Sequence, residues 1–299
     1  MVILEQGNFD MQTSDPVIGR PASPGRPVPH ISFDEFTAFG RRALIRADIP
    51  VVIELPRGTA GLGRDGIAER LGDMQVTLFT EPSNKNNPVR WTTREIPLRE
   101  FFEDSRYETD PSTWHRIVSN IRKSTDDINT ILGFDANEVF DYGGSLSAAN
   151  LWISHKGVFT QNHFDEWENF NVALEGRKRF VMAPPGVRDY YPRSLPRGFG
   201  DKSQVFDLDN VDPKRFPRLI PKLSERREVI LEPGQILYLP LGWWHQAESL
   251  EDMNVNMNFW IHDAKILRRP YVMGVAMYTK IYRRLKRVYN YKPAERISS

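Results

Sequence analysis

The chain has 299 residues, a formal net charge of +1 and 40% hydrophobic residues, which is enough for one large β domain or two smaller ones. Because it contains no cysteine, disulfides, iron–sulfur clusters and thiolate zinc sites are excluded, and any metal must be bound by His, Asp or Glu. No apolar run approaches the roughly 20 residues that cross a bilayer, and the N-terminus lacks a signal pattern, so we expect a soluble, cytoplasmic protein.

The first 30 residues predict an extended arm rather than a packed element. They contain five prolines, interspersed with Gly19 and Gly25, and this composition is typical of extended segments. Ser32 then predicts the start of a helix, because Glu35 three residues later completes a capping box.

Residues 31–147 predict a mixture of helices and strands that flanks the main domain. The predicted elements are a strand over 50–54, a helix ending at 69–72, a strand over 74–79, a helix over 96–102 that opens at a proline, and a helix within 110–132. Gly133 is the expected stop of the last helix.

From residue 148 to 262 the pattern changes to short strands separated by turns. Gly176 predicts a tight hairpin, and Pro233–Gly234 predicts a type II turn. Residues 184–227 form a long insertion, and loops of that length are usually functional or disordered. Eight strands are predicted, over 149–154, 158–164, 168–175, 178–183, 228–231, 236–239, 246–250 and 253–261. We therefore predict a mostly β protein with flanking helices, built around a double-stranded β-helix of the jelly-roll type.

The C-terminal segment 263–299 is basic and helical in pattern. From Lys265 onward it carries ten Lys or Arg residues against one acid, Glu295. From Tyr271 the apolar residues recur every three or four positions, and such an amphipathic helix needs a partner surface, which a second copy of the chain would supply. The cations are also compatible with RNA binding, although a solvated helix face is the weightier interpretation.

Three side chains predict a metal site. His163 and Asp165 are two residues apart on a predicted strand, so both point to the same face. Together with His245, far along the chain, they form the two-histidine, one-carboxylate set of a non-haem Fe(II) facial triad, which leaves coordination positions open. A lone His-x-Asp is weak evidence, so the neighbouring residues matter.

Lys178 and a row of asparagines strengthen the metal hypothesis. A lysine that points inward is costly without a counter-ion, and the distal carboxylate of a dicarboxylic cosubstrate would be one; a solvated hairpin charge is the alternative. On the strand 254–261, three asparagines share a face with Trp260. They line either a ligand-filled pocket or an exposed surface, and the two interpretations carry equal weight.

The sequence around these residues resembles the JmjC and cupin-type Fe(II)/2-oxoglutarate oxygenases, and among them the asparaginyl hydroxylase that inhibits hypoxia-inducible factor. A weaker similarity extends toward the N-terminus as far as about Pro50, so the resemblance covers most of the chain. The matching motifs are His163-Phe164-Asp165-Glu166, Asn169-Phe170, Gly176-Arg177-Lys178-Arg179, Pro184-Pro185, Ser203-Gln204-Val205, Arg215-Phe216-Pro217, Pro233-Gly234, Trp243-Trp244-His245, Glu248-Ser249-Leu250 and Asn258-Phe259-Trp260.

The resemblance implies a cupin fold, a homodimer through the terminal helices, and a role for each matching residue. His163, Asp165 and His245 would bind Fe(II). Thr160 and Lys178 would hold the distal carboxylate of 2-oxoglutarate. Three further roles are implied: Asn169 and Asn258 would line the iron and cosubstrate pocket, and Trp260 would flank the substrate channel.

Two positions depart from the family. A tyrosine that binds 2-oxoglutarate is replaced by Trp114, whose indole can donate a hydrogen bond but cannot accept one. The Arg-Gln pair that clamps the target peptide falls near Asp201-Lys202, so the peptide specificity is open while the iron chemistry is untouched.

The sequence thus predicts a dioxygenase that uses Fe(II), 2-oxoglutarate and O2 to hydroxylate a C–H of a peptide or protein side chain. The alternatives are a hydroxylase of a free amino acid or small metabolite, an RNA-modifying JmjC oxygenase, and a non-catalytic cupin binding protein. The intact triad and Lys178 argue against the last of these.

Overall fold

Two β-sheets, one of nine strands and one of four, form the framework of the protein. The computed structural model describes residues 26–57, 59, 61–83, 92–104, 106–110, 112–185 and 202–286. The strands are β1 (His30–Ser32), β2 (Val51–Glu54), β3 (Gln75–Pro82), β4 (Thr92–Pro97), β5 (Thr113–Asn120), β6 (Leu146–Ser154), β7 (Phe159–Phe164), β8 (Glu168–Glu175), β9 (Lys178–Ala183), β10 (Arg227–Leu231), β11 (Gln235–Leu239), β12 (Trp244–Ser249) and β13 (Asn254–Ile261).

Eight α-helices accompany the sheets in the described ranges. They are α1 (Phe33–Phe39), α2 (Arg41–Ala47), α3 (Arg64–Leu71), α4 (Leu98–Glu103), α5 (Arg106–Thr109), α6 (Thr125–Leu132), α7 (Ala136–Phe140) and α8 (Pro270–Lys286). Short 3-10 helices lie at Gly143–Ser145, Ile220–Glu225 and Ala264–Arg268. None of the helices described is long and apolar enough to span a bilayer.

The strands from β6 to β13 form the predicted double-stranded β-helix. The large sheet has the order β1-β2-β11-β8-β13-β6-β5-β3-β4, and the small sheet has the order β10-β9-β12-β7. Between β6 and β13 the chain therefore crosses repeatedly from one sheet to the other, and all eight predicted strands are present. The jelly-roll prediction is confirmed.

Gly176 shows why the β8–β9 hairpin needs glycine. Its φ is +68°, in the left-handed region, and a Cβ there would lie 2.1 Å from the backbone oxygen of Met253. Any other residue would clash with the Met253 backbone, because that backbone leads directly into β13 and cannot move aside without disturbing the strand.

Alternation along each strand separates a helix-covered face from an interior face. On β8, Phe170 and Val172 are buried in a cluster with Phe140 of α7, whose ring centroid lies 4.8 Å from that of Phe170. Their neighbours Asn169 and Asn171 therefore point to the opposite face of the sheet, between the two sheets. The helices thus seal one face of the large sheet, and the other face remains for the site.

The N-terminal region refines two predictions. The helix predicted within 110–132 is α6, and residues 113–120 before it form a strand that was not predicted, β5, which pairs with β3 on one side and β6 on the other. The Asp110 carboxylate accepts from the Ser112 N–H at 2.8 Å and closes a turn just before it, and the helix begins only at Thr125. Ile96 belongs to β4, and α4 starts after Pro97.

Other local predictions are confirmed. Ser32 and Glu35 form the capping box of α1, and Gly133 ends α6 with a φ of +76°. Of the predicted arm, residues 1–25 lie outside the described residues, and β1, which begins at His30, pairs in parallel with β2. The predicted domain boundaries stay a prediction, and the large sheet runs continuously across the one at residue 148.

The second half of the insertion packs on the outer face of the small sheet. Residues 186–201 lie outside the described residues, and 202–226 cover β9 and β12. Arg179, which is only 3% exposed, binds Asp209 at 2.7 Å and also pairs with Glu228. Because an unpaired arginine in such a buried position would be costly, this cluster holds the insertion in place.

Candidate metal centre

His163, Asp165 and His245 lie together at the interior face of the small sheet. His163 on β7 and His245 on β12 are direct partners in the antiparallel register, and Asp165 follows the end of β7. The Asp165 oxygens lie 4.0 Å from His163 Nε2 and 3.7 Å from His245 Nε2. One ligand atom from each residue lies within 4.8 Å of the others, a spacing that fits a single ion between them.

Each histidine ring is oriented by a backbone carbonyl two residues earlier. His163 Nδ1 lies 2.8 Å from the carbonyl oxygen of Gln161, and His245 Nδ1 lies 3.0 Å from that of Trp243. A carbonyl can only accept, so each Nδ1 carries the proton and donates, and each Nε2 presents its lone pair to the centre.

Burial keeps both rings neutral. It lowers the pKa of His163 well below the usual value, and the nearby charge of Lys202 adds to that effect. Burial also lowers the pKa of His245, although the Asp165 carboxylate partly opposes it. Two neutral imidazoles and a carboxylate are the form in which these residues bind a divalent metal.

A chain of side-chain amides orients Asp165. Asn169 Nδ2 donates to Asp165 Oδ2 at 2.8 Å, and Asn258 Nδ2 donates to Asn169 Oδ1 at 3.1 Å. Asn258 Oδ1 in turn accepts from Trp152 Nε1 at 2.7 Å and from Asn150 Nδ2 at 3.2 Å. We call this series the amide relay. It leaves Asp165 Oδ1 for the metal and fixes the carboxylate plane.

The triad opens into a cavity of about 340 Å³ between the two sheets. Side chains from both sheets and from α8 line it, including Val275 and Ala276 of α8. Eight of the nine predicted site residues line it: Thr160, His163, Asp165, Asn169, Lys178, His245, Asn258 and Trp260.

The part of the cavity around Lys178 is rich in cations and donors. Lys178 lies with its Nζ 5.5 Å from the centroid of the Trp152 ring. Burial and the charge of Arg116 lower the pKa of Lys178 to about 8. Arg116 Nη1 donates to Thr160 Oγ1 at 3.3 Å, so the two residues predicted to hold a carboxylate share their surroundings with a second cation.

The asparagine face of β13 is buried. Asn254, Asn256 and Asn258 are 1%, 3% and 3% exposed, which rules out the alternative of an exposed surface. The side-chain N–H groups of Asn256, Asn171 and Trp260 have no hydrogen-bond partner among the described residues. Since buried donors are normally satisfied, these three, all in the cavity lining, are suited to a polar ligand.

Trp114 and Trp260 differ in their placement. Trp114 lies on β5 and packs against Phe159, with ring centroids 6.4 Å apart, and it is not among the described residues that line the cavity. Its predicted contact with 2-oxoglutarate stays a prediction. Trp260 lines the cavity and stacks on Trp167 at 4.7 Å and 12°.

Sequence reasoning did not assign Arg116, Asn171, Lys202 or Glu81 to the metal and cosubstrate pocket. Arg116 was missed because no strand was predicted over residues 113–120. Asn171 could have been found, since it is two residues from Asn169 on a predicted strand and so shares its face. Lys202 is brought to the site by a β-bridge with His163, a contact between distant segments that no local pattern indicates.

The fold and the site define a class: a double-stranded β-helix protein with a His-x-Asp…His metal-binding triad in its interior. Residues 46–265 match the family described as the cupin-like domain, and the chain belongs to that family.

Curated relatives agree with this family. The chain is 37% identical over 124 residues to human HSPB1-associated protein 1, which is 40% of this chain and 24% of that protein. It is 33% identical over 147 residues to lysine-specific demethylase JMJ30 of Arabidopsis thaliana, covering 49% and 32%. It is 32% identical over 178 residues to chicken tRNA wybutosine-synthesizing protein 5, covering 56% and 51%.

The chain therefore spans between about a quarter and a half of the length of these relatives. The resemblance to the asparaginyl hydroxylase in particular stays a prediction.

Proposed function

We propose that the protein is an Fe(II)/2-oxoglutarate-dependent dioxygenase that hydroxylates a C–H of a peptide or protein side chain. The observation that carries the proposal is the shared cavity: the triad and the Lys178–Thr160–Arg116 group line one interior space. A metal that activates O2 and an anionic cosubstrate need to be adjacent. The triad could bind the metal and the Lys178–Thr160–Arg116 group could bind the cosubstrate within the same cavity.

The triad fits Fe(II) by its donor set and by its protonation. Two neutral imidazole nitrogens and one carboxylate oxygen form the 2-His-1-carboxylate set that leaves coordination positions for other ligands. His163, Asp165 and His245 would hold the iron, with the backbone carbonyls and the amide relay fixing their orientation.

The rest of the cavity fits 2-oxoglutarate by charge and by hydrogen-bond donors. Lys178 and Thr160 would hold its distal carboxylate, and the unpartnered N–H groups of Asn171 and Asn256 point to an acceptor-rich ligand. A cavity of about 340 Å³ is at the lower end of ligand pockets, which run from roughly 300 to 1,000 Å³.

When bound, the iron, 2-oxoglutarate and O2 would supply the oxidation of a substrate C–H, with succinate and CO2 as coproducts. The protein's own contribution is placement and the exclusion of water. The amide relay holds Asp165, Lys178 anchors the cosubstrate, and the apolar side chains Phe180, Val275 and Ala276 limit water in the cavity.

The aromatic pair in the cavity lining supports a side chain as the substrate. One extended side chain could enter past the stacked pair Trp167–Trp260. Stacked tryptophans offer a large apolar contact surface with polar edges, which suits a segment that binds across the mouth.

The test has two stages, on the full chain. Anaerobic addition of Fe(II) and 2-oxoglutarate should produce a weak visible charge-transfer band, which His163→Ala should abolish; a wild-type protein without the band would contradict the proposal. A succinate-release screen across peptides, free amino acids and RNA would then identify the substrate. Release with only amino acids, or only RNA, would replace the peptide assignment.

The homodimer predicted for α8 stays a proposal. Met277 and Ile281 of this helix are 55% and 54% exposed, which is consistent with an apolar face that a second copy could cover. Val288 and Tyr289, which continue the predicted stripe, lie outside the described residues.

A further inference from the structure

Arg116 reaches the cavity from a strand outside the eight-stranded β-helix. It lies on β5, which pairs with β6 at the edge of the barrel. Along β5, Arg116 and Val118 have side chains on the same face, and both line the cavity. Arg116 has only 12% of its side chain exposed, so its charge is held inside the protein.

The contacts of Arg116 leave part of its guanidinium unused. Nη2 lies 3.0 Å from Glu81 Oε1 on β3, and Nη1 donates to Thr160 Oγ1 at 3.3 Å. Nε has no hydrogen-bond partner among the described residues. A guanidinium carries five N–H donors in a plane and can bind a carboxylate through two of them.

The charges near Arg116 do not balance without an anion. Lys178 and Arg116 line the same cavity, and the charge of Arg116 adds to burial in lowering the pKa of Lys178. In the described parts of the chain, Lys178 has no carboxylate within ion-pair distance, and Glu81 is the carboxylate that pairs with Arg116. Glu81 also interacts with the charge of Lys202, so the partly buried cations Arg116 and Lys178 have an affinity for a further negative charge.

Thr160 contacts Arg116 directly and lines the same cavity as Lys178. Its Oγ1 accepts from Arg116, which leaves the hydroxyl hydrogen available to donate to a ligand. Thr160 and Lys178 are the pair that the family resemblance implies for the distal carboxylate. A guanidinium that donates to one member of the pair and acts electrostatically on the other is placed to contact the same carboxylate.

We propose that Arg116 is a second cationic ligand for the distal carboxylate of 2-oxoglutarate, and that it makes the pocket selective for dicarboxylic over monocarboxylic 2-oxo acids. This inference rests on the proposed function. Nη2 of Arg116 pairs with Glu81, while the remaining donors of Arg116 bind the ligand together with Lys178 and Thr160.

The competing explanation is that Arg116 and Glu81 form a purely structural ion pair. The two explanations differ in what they predict for a ligand without the distal carboxylate. The 2-oxo acid 2-oxovalerate has the same carbon chain and the same metal-binding end as 2-oxoglutarate but lacks that charge. A structural defect would weaken both ligands equally, whereas loss of a direct contact would weaken only the dicarboxylate.

The experiment measures the dissociation constants of both ligands for the Mn(II)-loaded full chain by anaerobic calorimetry. Arg116→Gln should weaken 2-oxoglutarate binding by about 10- to 100-fold, since a hydrogen bond to a charged group contributes about 1.5–3 kcal/mol. Binding of 2-oxovalerate should stay within a factor of about two. Equal weakening of both ligands, or no change in either, would overturn the assignment of Arg116.

Two further variants separate binding from folding. Arg116→Gln leaves Glu81 buried without its cation, so the double variant Glu81→Gln/Arg116→Gln removes both charges and should show the same selective loss. Glu81→Gln alone frees Arg116 from its internal partner and should bind 2-oxoglutarate at least as tightly as the wild type. If Glu81→Gln loses as much affinity as Arg116→Gln, the pair is structural and the inference fails.

The matched control is Arg94→Gln on β4, which β3 separates from β5. Its side chain is 57% exposed and pairs with Glu100, so the variant should change neither dissociation constant. Failure of the broader proposal looks different. A wild-type protein that binds no 2-oxoglutarate would end the oxygenase assignment, whereas wild-type binding without selectivity at Arg116 would end only this inference.

Discussion

The two ends of the cavity are built in different ways. At the metal end, each ligand is oriented by a neighbour close in sequence: a carbonyl two residues before each histidine, and Asn169 four residues after Asp165. At the cationic end, Lys178, Thr160 and Arg116 come from three strands, and the one hydrogen bond recorded among them joins Arg116 to Thr160. We call these the metal end and the cationic end.

The difference indicates how each end is stabilised. Hydrogen bonds within the protein fix the metal end before any ligand binds, so its geometry is preorganised. The cationic end has like charges close together and donors without partners. Such an arrangement is destabilising alone and becomes favourable with an anion. Ligand binding should therefore affect the stability of the cationic end more than that of the metal end.

The largest expected effect is at the metal end. His163→Ala removes a ligand, and the loss of metal affinity should exceed the roughly 10- to 100-fold that loss of an outer hydrogen bond causes. An anaerobic titration with Fe(II) or Co(II), followed by visible absorption, measures it. His30→Ala, at an exposed histidine paired with Glu54, is the control. Unchanged affinity in His163→Ala would mean that the triad does not bind the metal.

At the cationic end, Lys178→Ala should separate the two ligands. It removes a charge opposite the distal carboxylate, so 2-oxoglutarate affinity should fall by about 10- to 100-fold while metal affinity is unchanged. Calorimetry with the metal and then with 2-oxoglutarate gives both values. Equal losses for the two ligands would indicate that Lys178 supports the fold rather than the cosubstrate.

A substitution in the amide relay should lower metal affinity without changing any of the three metal ligands. Asn258→Ala removes the donor to Asn169, so Asp165 should lose its fixed orientation and metal affinity should fall by about tenfold. Asn254→Ala is the control, because Asn254 lies on the same strand but donates to the Glu251 backbone, at 2.7 Å. A larger loss in the control than in Asn258→Ala would disprove the relay's role.

The smallest expected effect is a pH dependence confined to the cationic end. The pKa of Lys178 in the folded protein is lowered to about 8, first by burial and then by Arg116. Since the carboxylate binds the charged lysine, 2-oxoglutarate affinity should fall as the pH rises through about 8, by at most about tenfold per pH unit. The pKa values of both triad histidines are lowered, so the metal end should not titrate there.

Lys178→Arg checks that interpretation. A guanidinium stays protonated at every accessible pH, so 2-oxoglutarate affinity in this variant should be constant between about pH 7 and 9. The measurement is a series of calorimetric titrations in the Mn(II)-loaded form. A pH dependence that persists in Lys178→Arg would have to come from another group.

The metal end could be predicted from the sequence and the cationic end only in part, for a physical reason. Strand alternation places His163 and Asp165 on one face, and it also places Asn256 and Asn258 together. The register between β7 and β12, which makes His163 and His245 direct partners, depends on contacts between distant segments. The triad could still be predicted because His163, Asp165 and His245 stand within motifs that resemble the JmjC and cupin-type oxygenases.

Arg116 shows where local patterns are insufficient. The sequence predicts a helix within 110–132 but no strand over residues 113–120. What makes these residues a strand is pairing with β3 and β6, and neither partner is close in sequence. Without a predicted strand there, the alternation that places Arg116 beside Thr160 could not be applied. Only the ordering of strands in the sheet places Arg116 near the site.

The placement of α8 has a practical consequence for anyone shortening this chain. Val275 and Ala276 form part of the cavity wall, and the segment before α8 is fastened to the domain by Lys265, which bonds Asp48 at 2.6 Å and Glu168 at 3.2 Å. The family match ends at residue 265. A fragment trimmed to that match would keep the three triad residues but lose the part of the cavity wall that α8 forms, and the cavity would be more exposed to solvent.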